Sequence, residues 1–280
     1  WRLRGLVLDL VVRDPVVDLL RNARGRLWVL GRLKPGGEPP RLDLRIRVPD
    51  PGQLRLWNVT PQGTPLAFLV KGEARLRLHE RSLRFRAGVS APAQVGEALL
   101  VGEGNWQRNH WRADLATRRF AAAPFEPLLP VKGSLRGQAE GQVSFRLDRG
   151  RPSCEGALTV RQASWRPPAL ERPLTSEHLA WSCRDQTLTL ADGPWRFGSW
   201  GGRIAGRTAI DGRLALDLRA RPPSGNPLAT LPLSGRLRGH WIRGGVAVER
   251  LEGELGRSRL LADGRLTRQL SLRGGWWLEP

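Results

Sequence analysis

The 280-residue chain has no methionine and no tyrosine, only two cysteines and four histidines, and three lysines at Lys34, Lys71 and Lys132. Each shortage closes something off. Without tyrosine the usual Tyr-rich girdle of a transmembrane β-barrel is missing, and 22 prolines suit such a barrel poorly. No apolar run approaches the roughly 20 residues that a membrane helix needs. Mean hydropathy is −0.37 with 40% hydrophobic residues, which fits neither an integral helical membrane protein nor a disordered chain. The start at Trp1, the lack of methionine and a pattern uniform from end to end make the chain read as part of something longer. An absent signal peptide or anchor is then uninformative about location.

Catalytic signatures are missing too. His79, His110, His178 and His240 are isolated, and none belongs to an HExxH pattern. There is no Gly-x-Ser-x-Gly elbow and no Walker-type phosphate loop. Gly102-Glu103-Gly104 begins like a dinucleotide fingerprint, but Gln107 stands where the third glycine belongs and no βαβ context surrounds it. Acidic residues such as Glu103 and Asp114 show no glycosidase-like arrangement and are expected to neutralise neighbouring arginines. The expectation is a non-enzyme with no cofactor and no metal.

Acidic residues are scarce: 26 against 46 Lys+Arg, a net charge of +20 that is almost all arginine. A field of this sign favours anionic partners. The arginines recur singly at alternate positions, however, as on a solvated strand face, whereas nucleic-acid arms gather them into blocks. No nucleic-acid partner is expected.

What the chain does have is alternation. Leu42-Asp43-Leu44-Arg45-Ile46-Arg47-Val48 and Arg213-Leu214-Ala215-Leu216-Asp217-Leu218-Arg219 place leucine-type residues on one strand face and arginine on the other. Strand-length runs, among them Leu6–Val12, Arg26–Leu33, Gln53–Val59, Leu66–Leu78, Gly141–Leu147 and Gly156–Gln162, alternate with Pro/Gly breaks such as Pro49–Gly52 and Pro124–Lys132. That rhythm predicts an all-β architecture. One helix is expected near 15–24, with Asp14 as N-cap, Pro15 at the first turn, Gly25 as the stop, and Val16, Leu19, Leu20 and Ala23 on one face.

Twelve tryptophans fall mostly near strand ends, where they either cap a core or line the rim of an apolar channel. Cys154 and Cys183 either cross-link neighbouring strands, which needs an oxidising compartment, or stay as buried thiols. Clustered metal-binding spacing is absent around them.

Gly133-Ser134-Leu135-Arg136-Gly137 resembles Ser234-Gly235-Arg236-Leu237-Arg238-Gly239, a loose internal repeat. With Pro130–Val143 and the alternating strand at 212–220, these stretches resemble the TamB/AsmA-like envelope proteins, nearest to the cyanobacterial TamB type and its chloroplast inner-envelope relatives. The resemblance implies an elongated, mostly antiparallel sheet curled into a groove with an apolar interior. It implies a location in the periplasm and cell envelope, with an inner-membrane anchor in a segment outside this chain. It further implies movement of phospholipids between membranes, cooperation with an Omp85-type outer-membrane barrel, and no catalytic residues.

On that reading the groove is lined by Leu42, Leu44, Ile46, Val48, Leu76, Leu78, Val143, Phe145, Leu147, Leu214, Leu216 and Leu218. Its partners are phospholipid acyl chains, and sixteen to twenty strands would make a segment of about 75–95 Å. Residues 1–123 and 133–280 form two groove segments around a Pro-rich break at 124–132. The competing readings are a ligand-free β-solenoid or adhesin-like shaft, whose core would be filled, and a basic nucleic-acid-binding β protein.

Overall fold

Residues that alternate in the sequence take extended conformation almost throughout. The computed structural model describes residues 6–20, 41–57, 64–92, 96–128, 133–166, 170–209, 211–223, 225, 233–242, 245–267 and 270–278. Within them lie β1 (Leu6–Val11), β2 (Val16–Leu20), β3 (Leu42–Trp57), β4 (Leu66–Arg77), β5 (Ser82–Ser90), β6 (Glu97–Asn105) and β7 (His110–Ala121). A 3₁₀ turn, η1 (Ala123–Leu128), precedes β8 (Ser134–Asp148), β9 (Arg151–Arg166), β10 (Leu174–Asp185), β11 (Thr187–Phe197) and β12 (Trp200–Ala209). The chain continues with β13 (Arg213–Arg221), β14 (Leu233–Ile242), β15 (Gly245–Leu255), β16 (Ser258–Leu266) and β17 (Leu270–Trp277).

From β3 to β17 every strand pairs antiparallel with the next in the chain. The turns carry the chemistry this requires. Between Asp148 and Arg151, Arg149 (φ 50°) and Gly150 (φ 84°) make a two-residue turn with both φ positive, whose twist matches that of the flanking strands. The result is a single open sheet in one layer. Fifteen inter-strand steps at about 4.8 Å give about 70 Å measured along it.

Residues 16–20 are strand β2, not the first part of the helix expected near 15–24; residues 21–24 lie outside the described residues. β1 and β2 both run parallel to β3, against Leu42–Arg47 and Gln53–Trp57 respectively. β3 bulges between Val48 and Gly52, and the edge strand breaks opposite that bulge. Asp14 (φ 46°) and Pro15 make the corner, and the Pro15 carbonyl accepts from the Gln53 N–H at 2.7 Å. A proline lacking an N–H suits the corner of an edge strand as well as a helix start. Backbone pairing with β3 and the β-branched Val16 and Val17 decide between the two.

Pro49–Gly52 is therefore a bulge inside one long strand. The break at 124–132 holds η1, and β7 and β8 on either side of it are hydrogen-bonded neighbours, so the sheet runs through. The strand expected at Arg26–Leu33 and residues 129–132 lie outside the described residues.

Candidate functional site

Cross-strand partners share a sheet face, so the register can be followed strand by strand. One row runs Val48, Gly72, Ala87, Leu100, Leu115, Val143, Gly156 and Cys183. It continues through Leu188, Thr208, Leu214, Gly239, Val248 and Gly264 to Leu272 on β17. A parallel row joins Val70 and Val89 to Leu158, Trp181, Leu190, Leu216, Leu237 and Leu251. No charged residue interrupts either row. One apolar face thus extends across fifteen consecutive strands.

The residues expected to share an interior fall on this face. Leu44 faces Leu76, Ile46 faces Ala74, and Val48 faces Gly72, while Leu78 donates its N–H to the Leu42 carbonyl at 3.0 Å. Phe145 and Leu147 continue the Ile46 and Leu44 rows through Ala113 and Trp111. Leu214, Leu216 and Leu218 join from β13. Asp43, Arg45 and Arg47 point to the other face. Sequence reading missed Leu100 and Leu115, because β6 and β7 were not read as strands. Leu99-Leu100-Val101 is apolar on both faces and hides the period of two, and Gly102 and Gly104 stand out as the start of a dinucleotide fingerprint rather than as strand residues.

Burial distinguishes an open face from a filled core. Val143 and Leu214 are 6% and 8% exposed, but Phe145 and Leu218 are 46% and 40% exposed. Among the described residues no side chain is buried to below 2% exposure. Side chains on this face meet their neighbours within the sheet, and among the described residues most of it has no second layer above it.

The exception is one margin. Phe68 on β4 and Phe120 on β7 would stand about 14 Å apart on a flat sheet, yet their ring centroids lie 6.4 Å apart. At this margin the sheet therefore bends toward its apolar face. Phe125 of η1 sits 6.0 Å from Phe68 and 6.1 Å from Phe120, and η1 touches both β4 and β8, roofing this corner. Elsewhere aromatic rings lie down on neighbouring glycines: Phe85 covers Gly102, Trp111 covers Gly104, and Trp195 covers Gly202. Flat rings keep the lining low. Cys154 and Cys183 also belong to this face, on adjacent strands β9 and β10, and form a disulfide with Cα atoms 5.6 Å apart.

The opposite face is ionic. The Arg75 guanidinium donates to Asp43 through Nε at 2.9 Å and 3.0 Å. That bond, reinforced by the fields of Arg75, Arg77 and Arg45, holds the Asp43 carboxyl below its ordinary range. The Ser144 hydroxyl does the same for Asp114, with help from Arg112 and Arg146. Arg84–Glu103 and Arg203–Asp192 are further cross-strand pairs. Both are exposed, so each contributes at most about 1 kcal/mol. Among the described residues no three His, Cys, Asp or Glu side chains converge to hold a metal, and no helix is long and apolar enough to cross a membrane.

Comparison with protein-family models, with curated proteins and with solved structures finds no match to this chain.

Proposed function

We propose that this chain is a segment of a TamB/AsmA-like envelope protein that conducts phospholipids along its curled apolar face. The observation that carries this is the apolar row running unbroken from Val48 to Leu272 while much of it stays half-exposed. An uncovered apolar surface of this size is an aggregation liability unless something occupies it. An acyl chain suits it physically: each methylene removed from water contributes about 0.8 kcal/mol. Because the lining offers area rather than directed hydrogen bonds, the chain can slide with little change in energy.

The rest of the reading follows from this assignment. A Cys154–Cys183 disulfide suits an oxidising compartment such as the periplasm. An Omp85-type outer-membrane barrel is the proposed protein partner, and the segment has no catalytic role.

Photo-crosslinkers at Leu76, Val143 and Leu216 on the apolar face should capture phospholipid in cells, while probes at Arg77 and Arg219 on the other face should not. Equal capture on both faces would leave the ligand-free shaft as the better description.

A further inference from the structure

The polar face of β3 to β7 carries a cleft of about 870 Å³ whose charged lining comprises seven arginines and four acids. Its register is unusual. Arg45, Arg75 and Arg84 stand directly opposite one another on three adjacent strands, and Arg112 stands opposite Arg146 three ladders further on. Like charges placed directly opposite destabilise a sheet.

Of the four acids in the lining, Glu103 pairs with Arg84, and Asp114 with Ser144 and Arg112. Asp9 stands across from Arg45, and Glu73 across from both Arg47 and Arg86, without a close ion pair among the described residues. Beside the cleft, Asp43 is engaged by Arg75 and Arg77. Arg45, Arg47 and Arg86 are left with no side-chain hydrogen bond or close ion pair among the described residues. Arg45 and Arg47 lie on β3, and Arg86 lies on β5 across Glu73. On pleated strands this places them about 7–12 Å apart.

We propose that this cleft binds a ligand bearing two or more phosphate groups, held by Arg45, Arg47 and Arg86. Guanidinium forks match phosphate oxygens bidentately. The volume suits a small ligand rather than a polymer. Phe85, the aromatic residue of the lining, turns its ring to the apolar face over Gly102, so the cleft offers no platform for stacking bases. A flat bilayer does not enter a cleft, whereas a diphosphate on a headgroup or free in solution does. The site uses the opposite face from the acyl-chain path and stands or falls separately from it.

The test is titration of the protein with inorganic pyrophosphate, together with melting curves in pyrophosphate against sodium chloride at matched ionic strength. The wild type should bind and melt higher. Combined Arg45→Gln, Arg47→Gln and Arg86→Gln should weaken binding at least tenfold and abolish the shift. These residues make no close pair to lose, and circular dichroism checks that the fold is kept. The control, Arg207→Gln, Arg219→Gln and Arg238→Gln on β12–β14, removes the same charge outside the cleft and should bind as the wild type does.

Absence of binding, or equal loss in both triple variants, would overturn the site in favour of diffuse charge. Once binding is established, flotation with cardiolipin vesicles against phosphatidylcholine vesicles assigns the source. Loss of cardiolipin binding in the cleft variant marks a headgroup ligand, and unchanged flotation marks a free phosphorylated one.

Discussion

Asp43 shows how single residues on the wet face contribute. Its carboxyl is held low by the hydrogen bond from Arg75 and by the surrounding arginines. A folded-state pKa below the unfolded value of about 3.9 means that the contribution is present above that pH and is lost as pH falls through the folded value. Asp43→Asn should therefore melt below the wild type at pH 7, and the gap should be smaller at about pH 3. A gap of the same size at both pH values would show that the ion pair is not its source. On the apolar face, Gly156 adopts φ 138°, and a Cβ there would meet the Gln142 carbonyl oxygen at 2.2 Å. Gly156→Ala should cost about 1–3 kcal/mol in urea unfolding. Gly201→Ala, where the nearest atom is 3.6 Å away, should change little.

At the scale of elements, η1 is the one piece of a second layer among the described residues, and Phe125 is what seats it. Phe125 is 37% exposed, so Phe125→Ala should cost about 1–3 kcal/mol, less than the 3–5 typical of a fully buried phenylalanine. Binding of an apolar dye should rise with the loss of stability. Unchanged melting would mean that η1 only rests on the sheet. Elements were legible in the sequence where one face alone was apolar. β13 alternates cleanly, so its facing could be read residue by residue. β6 puts Leu99 and Val101 on the wet face and glycines on the dry one, so neither face stood out. β2 failed for a different reason: Asp14-Pro15 is equally good chemistry for a helix start and for the corner of an edge strand. Pairing with β3 past its bulge, a feature of another element, joins the β-branched Val16 and Val17 in settling which one forms. Tertiary pairing overrode a sound local signal.

The whole molecule exposes 19943 Å², whereas a compact protein of 31.2 kDa would expose about 12,000 Å². A one-layer sheet contributes to the excess, and among the described residues it leaves little hidden core to hold distant parts together. Local staples then matter more. Removing the β9–β10 disulfide with Cys154→Ala and Cys183→Ala should lower stability by about 2–4 kcal/mol, read as a fall in the urea midpoint. The facing of the lining residues was legible at this scale because a period of two admits only two assignments, and Leu44 and Leu216 follow the same one. Their union into one face was not, because it depends on the register of every intervening pair, including the bulges at Thr117–Phe120 and Leu190–Gly193. The central claim is that this united face takes up lipid. The most direct measurement counts, by mass spectrometry, the phospholipid retained by the protein purified gently from cells. The wild type should carry lipid, Val143→Asp with Leu216→Asp should lose most of it, and Ser144→Asp with Arg219→Asp on the wet face should keep it. A lipid-free wild type, or equal retention whichever face receives the charge, would contradict the conduit.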